Sequence, residues 1–222
     1  MVICTVAALV VSIVHYRRHR RLRIFTYYIV FSLLQDSTAL FYMLALPADR
    51  RPPVSVLATI LTVSYAFMFF EFITYNLFIL YYIHSRLWRR IVRINAWTFF
   101  LLLLSGVAGI FKYLLTHPMY FFLLETISLV PPCLIYFYQL FQTNDPQPLK
   151  DQPSFWVVTG VLFLKACSIP LLLTVDLMTG HQNAVFTLNY ILYTVLFVLL
   201  IMAYLCPSPK SQPLTKGNPT LV

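Results

Sequence analysis

The chain has 222 residues, of which 60% are hydrophobic and 10% are charged, and its formal net charge is +9. This composition excludes a water-soluble globular domain and is typical of an integral membrane protein. Because the basic residues lie in short blocks beside apolar segments, the charge predicts membrane orientation and not a nucleic-acid partner.

Seven apolar segments approach the length of about 20 residues that crosses a bilayer, and they predict an all-α bundle of about seven transmembrane helices. Their predicted bounds are 2–14, 24–46, 54–83, 96 to 110 or 113, 119–141, 154–175 and 185–205. Positive charge follows the first segment instead of preceding it, which argues against a signal peptide. We expect residues 1–206 to form one multi-pass membrane domain and residues 207–222 to form a flexible cytoplasmic tail.

The 16 lysines and arginines predict the orientation of the bundle. If the N terminus is outside, Arg50, Arg51 and Lys112 are on the outer side, and Lys165 lies within the membrane. The other twelve are on the inner side: Arg17, Arg18, Arg20, Arg21, Arg23, Arg86, Arg89, Arg90, Arg93, Lys150, Lys210 and Lys216. This bias places the N terminus outside and the C terminus inside.

The third segment carries a carboxylate, Glu71, into the middle of an apolar helix that we expect to end at the arginines of 86–93. Residues at helical spacing from Glu71 are polar or aromatic and predict a stripe that faces protein. They are Ser64, Met68, Thr74, Tyr75, Phe78 and Tyr82. The fifth segment contains Pro131 and Pro132, which predict a kink.

Four ionisable residues should not face lipid: Asp36, Glu71, Glu125 and Lys165. Each lies roughly 12 to 19 Å along its helix from the nearest membrane surface, so we expect them to meet in one central layer. Two further residues, Tyr75 and Asn189, are predicted to line it. Three carboxylates and one lysine favour a ligand, ion or proton site, but hydrogen bonds that only fix helix packing remain the alternative. We expect Lys165 to pair with Glu71.

The arginine blocks predict contact with anionic lipid headgroups on the inner side. The residues concerned are Arg17, Arg18, Arg20, Arg21, Arg86, Arg89, Arg90 and Arg93. His15 and His19 have the spacing of a helical metal pair, but the neighbouring arginines repel a cation, and no metal or cofactor is predicted. No catalytic motif is present, so we do not expect an enzyme. A retinal protein is disfavoured because the last segment has no lysine.

Three stretches carry a resemblance to a known family: Phe69 to Phe72, Pro153 to Gly160, and Asn189 with Tyr193. They resemble the small seven-helix inner-membrane proteins of unknown function that are common in Bacteroidota, whose membrane unit is similar to one that precedes some sensor histidine kinases. The resemblance implies a bacterial inner-membrane location and a sensory role, and it maps onto Glu71, Phe155 and Trp156. Lys165 lies outside its pattern.

Two functions therefore remain open. The first is a receptor-like or scaffold module that has no output domain of its own and acts on a signalling partner protein through the arginine-rich inner surface. The second is a small-solute or proton-coupled transporter that uses the central layer. Helices interrupted by proline favour the second function, and the lack of a repeat between the two halves favours the first.

Overall fold

The fold is seen in a computed structural model, which describes residues 2–17, 19–45, 54–107, 118–142, 148–174 and 182–207. The regular structure of these residues is helical, and the predicted all-α bundle is confirmed. Its helices are α1 (Val2–Val14), α2 (Arg23–Ala45), α3 (Val54–Tyr82), α4 (Arg86–Val107), α5 (Pro118–Gln142), α6 (Pro153–Thr174) and α7 (Gln182–Leu205). The residues at 46–53, 108–117, 143–147 and 175–181 and the predicted tail from residue 208 lie outside the described residues.

Four segments of these helices are long and apolar enough to cross a membrane. They are Thr62–Tyr82, Tyr120–Gln142, Pro153–Leu173 and Thr187–Leu205, which belong to α3, α5, α6 and α7. Helix α1 is also apolar but has only 13 residues. In a lipid bilayer, the backbone N–H and C=O groups must form their hydrogen bonds within the protein, and an α-helix provides these bonds. Apolar helices of this length therefore identify a membrane protein.

The helices form a closed ring in which α1 packs against both α2 and α7. Around the ring, α2 contacts α3, α3 contacts α5, α5 contacts α6, and α6 contacts α7, while α4 packs outside against α3 and α5. Helix α3 also reaches α6. At Gly160, a Cβ atom would lie 2.9 Å from Leu196 Cδ1, so the missing side chain lets α6 and α7 approach closely.

The arginines of 86–93 do not end the third helix, as the sequence had predicted, but open the fourth. The helical pattern breaks at residues 83–85, and α4 begins at Arg86 instead of near Ala96. Arg89 explains the break, because its Nη2 and Nε atoms donate to the Ile83 carbonyl at 2.7 and 3.2 Å. A guanidinium that bonds a last-turn carbonyl is a favourable helix end, and arginine is also a good helix former. The predicted start of α4 was wrong because it was the start of the apolar segment, and the arginine-rich first turns of the helix precede that segment.

Helix α5 is continuous through Pro131 and Pro132. Because Pro132 has no amide hydrogen, the carbonyl of Ser128 loses its donor in the helix. Asn95 of α4 replaces that donor, with its Nδ2 donating to the Ser128 oxygen at 2.7 Å. A neighbouring helix thus satisfies the backbone group that the proline leaves free, which is how proline is tolerated in a membrane helix.

The two arginine-rich blocks meet at one end of the bundle. The guanidinium of Arg21, just before α2, lies 4.4 Å from the ring centroid of Tyr81 and 5.5 Å from that of Tyr82, at the end of α3. The amide of His84 donates to Gln139 Oε1, near the end of α5, at 3.1 Å. These contacts bring the start of α2 and the ends of α3 and α5 together.

The same end includes the start of α6 and the end of α7. Trp156 Nε1 and Cys206 Sγ both donate to the Lys150 carbonyl, at 2.8 and 3.4 Å. The hydroxyl of Tyr204 donates to the Leu22 carbonyl at 2.7 Å and accepts from Thr26 at 3.0 Å. We call this end of the bundle, formed by residues 16, 17, 19–23, 81–93, 139, 150–156 and 204–206, the basic end.

Candidate functional site

Glu71 lies on α3 among buried neighbours, and its side chain is 1% exposed. The predicted stripe faces the interior: Met68, Thr74, Tyr75 and Phe78 are buried, whereas Leu77 on the opposite side is exposed. Hydrophobic residues cover almost every side of this helix, so its polar and aromatic positions mark the face that meets other helices. The prediction that this face is buried in protein is confirmed.

Lys165 of α6 connects Glu71 to a second carboxylate, Glu125 of α5. Its Nζ atom lies 3.1 Å from Glu71 Oε1 and donates to Glu125 Oε1 at 2.9 Å. The side chain of Lys165 is 4% exposed, and that of Glu125 is 1% exposed. One ammonium therefore joins three helices, and we call Glu71, Glu125 and Lys165 the charge cluster. The predicted pairing of Lys165 with Glu71 is confirmed, and Glu125 is a second partner that also accepts a hydrogen bond from Lys165.

The charge cluster is not electrically balanced. Two ionised carboxylates and one ammonium sum to a charge of −1, and bound charge in a low-dielectric interior is costly unless it is neutralised. Glu125 Oε2 is buried without a hydrogen-bond partner in the part of the chain that the structure describes. One added positive charge would balance the cluster, and a proton on a carboxylate is the smallest group that supplies it.

Three tyrosines surround the cluster, contributed by α2, α3 and α7. The carboxylate of Glu71 interacts electrostatically with the hydroxyls of Tyr28, Tyr75 and Tyr193. Glu125 also acts on Tyr75 and Tyr193. The rings of Tyr28 and Tyr75 pack with centroids 5.4 Å apart, and both side chains are fully buried. The cluster thus lies in an aromatic cage that carries hydroxyl groups.

The sequence predicted that Asp36 lies in one layer with the charge cluster, and among the described residues it makes no ion pair with Lys165. It is partly buried on α2, and among the described residues it has no ion pair; its Oδ2 atom is buried without a hydrogen-bond partner. Asp36 interacts electrostatically with the hydroxyl of Tyr193, which also interacts with Glu71, Glu125 and Lys165. Equal depth along separate helices placed Asp36 in the layer, but it did not fix the direction in which its side chain points.

Asn189 also stays outside the cluster. It is partly buried on α7, and within the described ranges it makes no hydrogen bond to Glu71, Glu125 or Lys165. Tyr193, one turn further along α7, lies near the cluster instead. Tyr75 is where the sequence predicted it.

Tyr28 and Cys133 are the site residues that sequence reasoning missed. Tyr28 precedes Asp36 by eight residues, a spacing that places both residues on one face of a helix. This spacing was the signal in the sequence that pointed to Tyr28. The thiol of Cys133, two turns after Glu125, interacts electrostatically with Lys165. No sequence signal marked Cys133, because a buried cysteine usually acts as a small apolar residue.

The predicted lipid-binding arginines have different surroundings. Arg17, Arg86, Arg90 and Arg93 are exposed. Arg21 lies over Tyr81 and Tyr82, and Arg89 bonds the Ile83 carbonyl, so these two have structural contacts. Arg18 and the side chain of Arg20 lie outside the described residues. Over the described ranges, no group of three or more histidine, cysteine or acidic side chains is arranged to hold a metal.

Comparison of the chain with protein-family models, curated proteins and solved structures gave no match. The functional argument therefore rests on the site itself. Its chemistry is a buried, shared lysine with one carboxylate in excess, enclosed by phenol groups that both donate and accept hydrogen bonds. Such a site can bind or release a proton, and a change in its charge acts directly on three helices.

Proposed function

We propose that this protein is a receptor-like membrane module in which the charge cluster is the responsive centre. The observation that carries the proposal is the position of Lys165, which bridges carboxylates on two other helices at 3.1 and 2.9 Å. A structural ion pair needs only one acid for one base. The second carboxylate makes the packing of α3, α5 and α6 depend on the charge of the cluster.

The change in charge is the binding of one proton by the two carboxylates. Adding a proton at Glu125 Oε2 makes the cluster neutral and leaves Lys165 with one full ionic partner. Loss of that proton gives a charge of −1, which favours an arrangement in which one carboxylate is better solvated. The two acids are close enough to share Lys165, so the proton belongs to the pair and not to one residue.

The basic end is where we place the output to a signalling partner protein. Helices α3 and α5 carry Glu71 and Glu125 and both end there, and their ends are joined by the His84–Gln139 hydrogen bond. Exposed Arg86 and Arg90 lie beside this contact. The distribution of basic residues supports a multi-pass chain with this end inside, and the resemblance supports a bacterial inner membrane.

The test is a distance measured across the basic end as a function of pH. Spin labels at exposed Ser85 and Leu149 would report the separation of the α3–α4 break from the start of α6, in a variant whose four native cysteines are replaced. We expect two populations whose ratio changes between mildly acidic and mildly alkaline pH. Hydrogen exchange of the amides at 83–86 measures the same change in the native sequence.

Glu125→Gln is the decisive variant, because it removes the excess carboxylate and leaves one balanced pair. Its distances should no longer depend on pH, whereas the matched control Asp151→Asn, which removes a carboxylate outside the cluster, should behave as the unmodified chain does. A pH-independent distance in the unmodified chain would refute the proposal, and so would an unchanged pH response in Glu125→Gln.

Proton-coupled transport is the second candidate, and the position of Asp36 favours it. Asp36 is partly buried and interacts with Tyr193, which in turn interacts with all three members of the cluster. In this candidate function, a proton passes from the α2 side to the centre by way of Asp36 and Tyr193. In proteoliposomes with a pH gradient, transport predicts proton flux that Asp36→Asn abolishes without loss of folding. The absence of flux, together with a pH-dependent distance, selects the receptor.

A further inference from the structure

A groove of about 360 Å³ lies between α3 and α4, away from the charge cluster. Aromatic and aliphatic side chains form most of its walls, including Phe69, Ile73, Trp97 and Phe100. Trp97 is 62% exposed, so the groove opens toward the surroundings of the bundle. On a membrane helix, such an opening faces lipid, and its apolar walls fit a hydrocarbon chain.

Two polar residues break the apolar lining, and both have groups available to a ligand. Arg93 is exposed at the groove on α4. Asn76 is 3% exposed on α3, and its Nδ2 donates to the Phe72 carbonyl at 2.9 Å. That bond fixes the amide orientation and makes Oδ1 an acceptor. Among the described residues, Asn76 Oδ1 has no hydrogen-bond partner although it is buried.

Arg93 and Asn76 lie at the same depth. Each is seven or eight residues from the break at 83–85, which is roughly 10 to 12 Å along its helix. The headgroup layer of a bilayer is about 5 to 7 Å thick on each side of the hydrocarbon core. A helix that starts at the outer edge of this layer therefore carries both residues roughly 3 to 7 Å below its inner boundary, a distance over which the long side chain of Arg93 extends back to the lipid phosphate.

We propose that this groove binds an anionic phospholipid whose headgroup carries hydroxyl groups. The phosphate pairs with the Arg93 guanidinium, one acyl chain lies along Phe69, Ile73 and Phe100, and a headgroup hydroxyl donates to Asn76 Oδ1. Guanidinium is suited to phosphate because it offers two parallel donors in a charge-assisted contact. The buried amide oxygen selects a headgroup that has a donor.

Native mass spectrometry of the full chain with added lipids tests the proposal. The probes are phosphatidylglycerol, phosphatidylmethanol, which is also a singly charged phosphodiester but has no hydroxyl group, and zwitterionic phosphatidylcholine. We expect phosphatidylglycerol to be retained most strongly. Arg93→Gln should weaken its binding about tenfold or more, as loss of a charge-assisted contact does. Asn76→Leu should reduce it to the level of phosphatidylmethanol.

Arg90→Gln is the matched control, since Arg90 is an exposed arginine of the same helix that does not line the groove. It should keep most of the binding. Equal losses in Arg93→Gln and Arg90→Gln would show general attraction to charge and overturn the site. Retention of phosphatidylcholine as strong as that of phosphatidylglycerol would also overturn the site. Equal retention of phosphatidylmethanol and phosphatidylglycerol would overturn the role of Asn76.

Fluorescence gives a second measurement in vesicles. Phosphatidylglycerol with brominated acyl chains should quench Trp97 more than brominated phosphatidylcholine does, and Trp97→Phe should remove the difference. Arg90 and Arg93 are both exposed, so the melting temperatures of Arg90→Gln and Arg93→Gln should match that of the unmodified chain. Quenching that does not depend on the headgroup would contradict the proposal. These lipid-binding tests do not alter the charge cluster. Their result therefore does not depend on whether the proposed receptor function is correct.

Discussion

At the scale of single residues, Lys165 determines how much buried charge the bundle holds. Its Nζ atom is within 3.1 Å of both Glu71 and Glu125, and all three side chains are at most 4% exposed. Removing the lysine leaves two carboxylates without a counter-ion. Removing either glutamate leaves a balanced pair. The three substitutions are therefore not equivalent.

We expect Lys165→Met to destabilise the chain by about 3 to 5 kcal/mol, because it leaves buried acids uncompensated. Glu71→Gln and Glu125→Gln should each cost less, since one ion pair remains. The triple variant Lys165→Met, Glu71→Gln, Glu125→Gln should recover much of the loss. Thermal unfolding in detergent measures these differences, with exposed Lys150→Met as the control.

A glutamate variant that loses as much stability as Lys165→Met would contradict the shared-lysine interpretation. Additive losses of Lys165 and Glu125 would also contradict it, because residues in direct contact are expected to show a coupling energy of about 0.5 to 3 kcal/mol.

The sequence was sufficient to predict the members of the charge cluster, but not that a fourth selected residue stays apart from Lys165. Burial cost and helical depth identified Glu71, Glu125 and Lys165 as residues that need protein partners. They also selected Asp36, which makes no ion pair with Lys165 among the described residues. Depth is a coordinate along each helix, whereas contact also depends on the rotation of each helix about its axis, which depth does not determine.

At the scale of helices, the sequence located the elements well where apolar segments end at proline or polar residues. Predicted and observed bounds of α1 agree, and those of α3, α5 and α6 agree within one residue. Helix α4 was placed about ten residues too late, because its first two turns carry four arginines. Charged residues at a membrane surface do not end a helix. The Arg89–Ile83 hydrogen bond marks the break between α3 and α4, and hydropathy does not predict it.

Asn95 and Pro132 should be coupled energetically. Asn95→Leu removes the donor to the Ser128 carbonyl and should cost about 1 to 3 kcal/mol, the penalty of an unsatisfied buried group. In a Pro132→Ala background, the restored amide of residue 132 can bond Ser128, so the same substitution should cost much less. Thermal unfolding of the four proteins provides the cycle.

Thr98→Leu is a useful control for this cycle, because Thr98 is an exposed polar residue of α4 whose hydroxyl donates to the Ile94 carbonyl of the same helix and, over the described ranges, to no other helix. It should show no coupling to Pro132. If Asn95→Leu costs the same with proline and with alanine at 132, the asparagine does not compensate for the missing amide.

At the scale of the whole molecule, the closed ring and the basic end give the chain a polarity. Arg21 and the end of α3 are in contact, so the two arginine-rich blocks lie on one side. Among the residues that the structure describes, four segments meet the length and apolarity expected of a span. Of the remaining helices, α1 and α2 complete the ring and α4 packs outside it, and their membrane crossing is a prediction from alternation and charge.

Reporter fusions test that orientation. A reporter active only in the cytoplasm should work after Ser85, Asn144 or Lys216, and one active only outside should work after Arg51, His117 or His181. Ser85 is used because Arg93 lies within α4. A cytoplasmic signal after His181 would contradict a seven-span chain with its C terminus inside.

The most direct test of the charge cluster is a count of buried carboxylic acid groups by infrared spectroscopy of the protein in lipid vesicles. The shared-lysine cluster with one bound proton predicts one carboxylic acid C=O band per chain from the pair. This band should disappear in both Glu71→Gln and Glu125→Gln, because each leaves a balanced ion pair, and it should persist in Asp151→Asn. A band that survives in both glutamine variants, or the lack of any band from these two acids across the stable pH range, would contradict the account.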